Sequence, residues 1–327
     1  MNRRRAVLAL VGLSALPRLL VAQPQRVARI GILSNPLPTN ALVAPLYKVF
    51  YAELKARGWD EGRNLVVESR YVQGEVAKYP AFANELVSAR VELIIATDSQ
   101  AVDAARNATR TIPIVMNSVS HPVEAGYVAS LAHPGGNITG VANESPDLQG
   151  KQLELLLSVK PDLKKLGVLW SPHNIASSLG FEQMHVVARQ FGVELVSLPV
   201  DASAELAPAL EKAQHEGVQA LWVHATPAIL SIYRQIAKWA EKHRLIAASW
   251  FGSFTRGGFF WSYAADPRDL ARISATFVDR ILRGANPAEL PVEQPTKFSF
   301  VINLKTAKAI GVTIPQSLLQ RADEVIE

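Results

Sequence analysis

Apolar and polar positions follow one another along the chain in blocks of two kinds. Residues 91–117 (VELIIATDSQAVDAARNATRTIPIVMN) read as an apolar run, a polar turn, a stretch with apolar residues at helical spacing, and a second apolar run. Short apolar runs bounded by turn formers suit the buried strands of a parallel sheet, and a 3.6-residue period suits an amphipathic helix. The same order returns at residues 218–250 (VQALWVHATPAILSIYRQIAKWAEKHRLIAASW). Two copies of one unit predict two similar lobes with a site between them.

The remaining pattern extends both copies. A strand at 27–34 ends in Ser34-Asn35-Pro36, and a helix at 41–57 has Leu42, Leu46, Val49, Phe50 and Leu54 on one face and Gly58 as its stop. A strand at 64–71 and a helix at 80–89 lead into the first unit. Beyond Asn117, a loop at 118–122 opens a predicted helix that runs to Leu131, and Gly135-Gly136 read as its C-cap rather than as a phosphate loop, because they precede a strand. Residues 138–143 are extended, and the lobe boundary is expected at 138–144.

The second half predicts helices at 149–159, 179–191 and 204–216, strands at 166–170 and 193–198, and then the second unit. A strand at 259–263 precedes a helix at 266–283, with Asp266 as N-cap, Pro267 at N1 and Gly284 as the stop. Residues 287–295, with three prolines, read as an extended connection, 298–304 as a strand, 305–310 as a helix and the rest as a tail. Strands alternating with helices call for an α/β fold with mostly parallel sheets covered on both faces.

Composition narrows the function classes. At 327 residues the chain suits two domains, and 49% apolar with 19% charged residues is an ordinary globular balance. The absence of cysteine excludes disulfides, thiolate chemistry and a lipid anchor on a lipobox cysteine. Residues 1–22 read as an export signal: a basic start, an apolar run at 6–16, and Leu20-Val21-Ala22 as a cleavage site. Arg4-Arg5-Ala6-Val7-Leu8 matches the core of a twin-arginine signal, so the periplasm is expected. Four of the 34 basic residues and none of the 29 acidic ones precede Ala22, so the remainder is nearly neutral and offers no basic surface for nucleic acid.

Candidate chemistry is sparse. The histidines at 121, 133, 173, 185, 215, 224 and 243 have no metal-ligand spacing and read as surface or loop residues. There is no Gly-x-Ser-x-Gly elbow and no Gly-x-Gly-x-x-Gly after the first strand, and Asp98, Glu124, Glu144 and Asp147 show no acid–base spacing. No catalytic residue, metal or cofactor is therefore expected.

What remains is a set of polar residues at strand ends, where ligands bind in doubly wound sheets. These are Ser34 and Asn35; Thr97, Asp98 and Ser99; Asn117 and Ser118; Ser171, His173 and Asn174; Ala225 and Thr226; and Trp250, Phe251 and Gly252. Hydroxyls, amides and free N–H groups at helix starts suit a carboxylate or other polar ligand. Asp98 would pair with a ligand ammonium, and Trp250, Phe251 or Tyr263 would cover an apolar part. The plainer alternative is that each polar residue only caps a helix.

Several runs also carry a resemblance: Glu61-Gly62-Arg63-Asn64 after Gly58-Trp59; Thr111-Ile112-Pro113-Ile114-Val115; Pro134-Gly135-Gly136-Asn137-Ile138-Thr139-Gly140; Gln294-Pro295-Thr296-Lys297-Phe298; and Val301-Ile302-Asn303-Leu304-Lys305-Thr306-Ala307-Lys308, with Arg321-Ala322-Asp323-Glu324-Val325-Ile326 at the end. From residue 27 to 327 the chain resembles the ABC transporter substrate-binding proteins, including tryptophan- and other aromatic-amino-acid-binding members. The resemblance implies a type I periplasmic-binding-protein fold, two Rossmann-like lobes joined by three crossings. It places residues 23–141 and 258–291 in the first lobe, and 142–257 and 292–327 in the second. It further implies a monomer that closes by hinge motion on a small amino-acid-like or carboxylate ligand and hands it to an ABC permease in the inner membrane. Thr97-Asp98-Ser99 stands where the family often has glycines, and His121 where it has an aspartate before the proline, so ligand identity does not transfer.

An exported receptor for a membrane signalling protein has the same lobes, and an enzyme on this scaffold is a third reading. A repressor needs a DNA-binding headpiece where the export segment stands.

Overall fold

The computed structural model describes residues 26–143 and 148–327. The expected export signal at 1–22 and the carboxylates Glu144 and Asp147 lie outside them. The first lobe runs β1 (Ala28–Ser34), α1 (Ala44–Ala56), β2 (Leu65–Tyr71), α2 (Tyr79–Ser88), β3 (Leu93–Ala96), α3 (Ser99–Ala108), β4 (Ile114–Val119) and β5 (Ile138–Ala142). The second continues with α4 (Leu148–Val159), β6 (Lys165–Trp170), α5 (Ile175–Gln190), β7 (Glu194–Pro199), α6 (Leu206–His215), β8 (Ala220–Val223), α7 (Pro227–Lys242), β9 (Ile246–Ser249), α8 (Gly252–Arg256) and β10 (Trp261–Ala265). Then come α9 (Pro267–Leu282), β11 (Phe298–Asn303), α10 (Leu304–Ile310), α11 (Gln316–Leu319) and β12 (Glu324–Ile326).

The first sheet has the order β2-β1-β3-β4-β5, and every pair in it is parallel. A parallel sheet needs helices on both faces, which is why all of β1 is buried apart from Arg29. On one face, Ala83 and Leu86 of α2 and Ala101, Val102 and Ala105 of α3 pack against β3 and β4. On the other, Phe50 and Leu54 of α1 meet Phe277, Val278 and Ile281 of α9. Burying each of those three α9 side chains stabilises by about 1.5–3 kcal/mol, against about 1 kcal/mol for the Asp266 cap. Packing, more than capping, holds α9 on the first lobe.

The second sheet has the order β12-β11-β10-β9-β8-β6-β7, parallel except for β10 against β11. Its two faces are covered by α4, α5 and α10 and by α6 and α7. The buried face of α7 is Ile229, Ile232, Tyr233, Ile236, Ala237 and Ala240, a helical stripe behind Thr226 as N-cap and Pro227 at N1.

Four expectations change. The strand at the start of 258–291 belongs to the second sheet: Trp261, 1% exposed, sits between Trp222 and Phe300 with ring centroids 5.9 Å from each. Only from α9 onward does that segment pack on the first lobe. Val292 and Glu293 stay there too, since Val292 N–H donates to Leu131 O and Glu293 exchanges main-chain hydrogen bonds with Gly140 and Ala142. The predicted helix to Leu131 is a set of turns, because His121 (φ +53°) and Gly126 (φ +67°) are left-handed and break the helical repeat. Gly135-Gly136 therefore caps no helix. The tail also contains a strand, β12, which adds parallel to β11.

One glycine is required by the sheet itself. Gly140 has φ +132°, and a Cβ there would lie 2.2 Å from Met116 O, so only glycine lets β5 approach β4. Among the described residues no helix is long and apolar enough to cross a membrane.

Candidate functional site

The carboxyl ends of the two sheets face each other across a cavity of about 190 Å³ lined by residues of both lobes. Ser34 and Asn35 follow β1, Thr97, Asp98 and Ser99 follow β3, and Asn117 and Ser118 end β4; all seven line the cavity. From the second lobe come Asn174 before α5, Ala225 and Thr226 before α7, and Trp250 and Phe251 after β9. Of the strand-end residues singled out, His173, Gly252 and Ser171 are not in its lining; Ser171 lies behind it. Its hydroxyl donates to Asp201 and its N–H to Ser177 Oγ, so it braces the start of α5 from behind. Tyr263 stacks on Phe298 instead, and His173 is exposed beside Asp201, which raises its pKa.

Three lining residues also cap helices. Asp98 Oδ1 accepts from Ala101 N–H at 3.0 Å, Asn174 Oδ1 from Ser177 N–H at 2.9 Å, and Thr226 Oγ1 from Ile229 N–H at 3.4 Å. The capping role and the lining role coincide, because a cap at a strand's carboxyl end stands at the cleft. The starts of α3, α5 and α7 thus converge on one space, each with the partial positive charge of a helix N-terminus. Among the described residues no lysine or arginine side chain lines the cavity. A bound carboxylate would meet N–H dipoles and hydroxyls.

Among the described residues Asp98 is the one carboxylate in the wall. Burial raises its pKa, while hydrogen bonds from the Tyr79 hydroxyl and the Ala101 and Gln100 amides act the other way. With Tyr79 Oη donating to Oδ2 and Ala101 N–H to Oδ1, both oxygens already have protein partners. Ser34 Oγ accepts from Thr97 Oγ1 at 2.8 Å, and Asn35 Oδ1 accepts from Gly74 N–H at 2.7 Å. These bonds fix the rotamers of the polar wall.

An apolar part of the wall went unrecognised in the sequence. Val43, Leu46, Tyr47 and Phe50 of the α1 region and Leu270 and Ala271 of α9 line it. Burial pushes the Tyr47 hydroxyl well above the ordinary tyrosine pKa, partly offset by the Ser34 hydroxyl beside it. On a helix such residues read as core; only the fold turns part of that face to the cleft. Asn143, Ser120 and Ser177 were missed as well. His224 corrects the reading of the histidines as surface or loop residues: it is 6% exposed, lines the cavity, and has Nδ1 3.2 Å from Ser177 Oγ. Its position at the end of β8 was the available signal.

The lobes touch across the mouth. Asn35 Nδ2 donates to Pro227 O at 3.4 Å, Ser253 Oγ donates to Leu42 O at 3.2 Å, and Gln183 Nε2 lies 3.2 Å from His121 Nδ1. Leu42 also packs against the second-lobe apolar cluster that Phe251 and Leu230 adjoin. Among the described residues no group of three or more His, Asp or Glu side chains is placed to hold a metal ion.

This geometry has relatives. A tyrosine-binding protein of Clostridioides difficile (strain R20291) is 29% identical over 267 residues, 81% of this chain and 76% of that one. A crystal structure of a conserved domain protein from Vibrio cholerae O1 biovar El Tor is 25% identical with a TM-score of 0.86, over 92% of this chain and all of that one. The ABC domain from Streptococcus pneumoniae in complex with L-Trp is 26% identical with a TM-score of 0.85 over the same shares. The family model described as ABC transporter substrate binding protein matches residues 38–326, and the chain belongs to that family.

Proposed function

We propose that this protein is the extracytoplasmic solute-binding component of an ABC importer, that its ligand is a small amino acid with an aromatic side chain, and that the lobes close on it by hinge motion. The observation that carries the reading is the mixed lining of the cavity, which offers three helix starts and a row of hydroxyls and amides to the amino-acid end, and Tyr47, Phe50, Leu270 and Phe251 to a ring. Tyrosine as the ligand of one relative and L-Trp in the structure of another support this class. The twelve strand-end residues that line the cavity are its proposed contacts, with Ser171 acting through Ser177.

In this reading residues 1–22 direct export to the periplasm by the twin-arginine route, and a monomer delivers its ligand to a permease in the inner membrane, binding without turnover. The test is calorimetric titration of purified protein with L-tyrosine, L-tryptophan, L-phenylalanine and aliphatic amino acids, with mass spectrometry of whatever co-purifies. Binding of an aromatic amino acid, and recovery of the same compound unchanged, is expected. Heat from the aliphatic set alone, or a chemically altered product, contradicts the reading.

A further inference from the structure

The register of β4 against β5 slips between Asn117 and Val119, and the residue left over, Ser118, has φ +64°. A left-handed backbone is unfavourable for a residue with a side chain, yet Ser118 stands in the cavity wall. Asn143 holds it there. Asn143 Nδ2 donates to Ser118 O at 3.1 Å and lies 3.2 Å from Ser118 Oγ, while Oδ1 accepts from Ser120 Oγ at 2.7 Å. A carbonyl oxygen only accepts, so the amide has one orientation that satisfies Ser118. The Asn143 N–H also donates to Val119 O at 3.2 Å, so main chain and side chain grip the bulge together. Asn143 is 4% exposed and Ser120 8%, and both line the cavity. Asn143 directly follows β5, where the chain leaves the first sheet.

We infer that Asn143 is a positioning residue for ligand binding: its amide keeps the Ser118 bulge in the left-handed shape that forms this part of the cavity wall, and ties that wall to the end of β5. The inference rests on the solute-binding reading for its ligand, but the bulge itself can be followed in the free protein.

The experiment compares wild type with Asn143→Ala, Ser118→Gly, the double variant and Ser120→Ala, by titration with L-tyrosine and L-tryptophan and by amide hydrogen exchange of residues 117–121 without ligand. Asn143→Ala is expected to weaken binding roughly tenfold, the population cost of one unsupported left-handed residue. Glycine takes that conformation freely, so in the Ser118→Gly background the same substitution is expected to cost only about twofold. Ser120→Ala, which removes the bond orienting the amide, is expected to cost about threefold and to be relieved by the same glycine. In the free protein, exchange at 117–121 is expected to rise about tenfold in Asn143→Ala and to fall back in the double variant. Equal losses with and without Ser118→Gly, or exchange unchanged by Asn143→Ala, overturn the inference. If wild type binds neither amino acid, the solute-binding reading fails, and the exchange comparison alone decides the role of Asn143.

Discussion

The Tyr79 hydroxyl donates to Oδ2 of Asp98 at the floor of the cleft, while Oδ1 of the same carboxylate caps α3. The net raising of the Asp98 pKa means that the folded chain holds this proton more tightly than the unfolded chain. Its contribution to stability is therefore complete below the ordinary carboxylate value of about 4 and is lost as the pH rises through the raised folded value. Asp98→Asn keeps a capping oxygen and does not titrate. The melting temperature of wild type relative to Asp98→Asn is expected to fall from about pH 4 toward neutrality, and Tyr79→Phe is expected to extend that fall to higher pH. A wild type that gains on Asp98→Asn as the pH rises contradicts the assignment.

Gly180 lies inside α5, where alanine ordinarily adds about 1 kcal/mol. Here a Cβ would come 2.9 Å from His224 Cε1, and the ring is buried against Ser177. Overpacking of this kind costs about 1–3 kcal/mol, so the two effects largely offset each other in stability. Binding has no such offset, because the ring that must give way lines the cavity. Gly180→Ala is expected to shift the melting temperature by only a few degrees and to weaken ligand binding about tenfold, which titration and melting on the same preparation will separate.

Leu42 and Ser253 meet at the mouth from opposite lobes. Truncating a partly buried leucine or deleting one hydroxyl removes about 1 kcal/mol of closed-state stabilisation. On the proposed hinge closure these contacts belong to the closed form, so Leu42→Ala and Ser253→Ala are expected to raise the dissociation rate about fivefold with little change in association. Stopped-flow measurement of both rates checks this, and a slower association with unchanged release is the contrary result.

Phe251 packs edge-on against Trp250 and Phe254, with ring centroids 5.8 and 5.3 Å away, and presents its remaining surface to the cavity. Phe251→Ala is expected to weaken aromatic ligands by about 2 kcal/mol, roughly thirtyfold. Phe251→Leu, which keeps apolar volume without the ring, is expected to lose less. Equal affinities in a titration series of the three proteins place the ring elsewhere.

The parts of the site legible in the sequence share one physical origin. Ser34, Thr97, Asn117 and Thr226 were found because a parallel sheet gathers its carboxyl ends at one edge, so a local strand boundary predicts a distant neighbour. Tyr47 and Asn143 escaped because nothing local marks them: one lies in the apolar stripe of a helix, the other meets Ser118 only through the pairing of β4 with β5. Sheet membership was equally hidden for β10, whose apolar pattern suits either lobe, and a three-residue strand such as β12 forms only against its neighbour. The turns at 121–131 were misread because apolar spacing survives a left-handed residue that a helix does not.

The contact between α1 and α9 reaches further than the packing it supplies. Arg57 Nη2 donates to Thr276 Oγ1 and Trp59 Nε1 to Asp279 Oδ1 across 219 and 220 residues of chain. The first lobe therefore cannot complete its core until the second has been threaded between its two pieces. Such long-range closure slows folding and ties both lobes to one late step, so a chain cut near Gly258 is expected to leave the first lobe molten rather than to release it as a smaller folded unit.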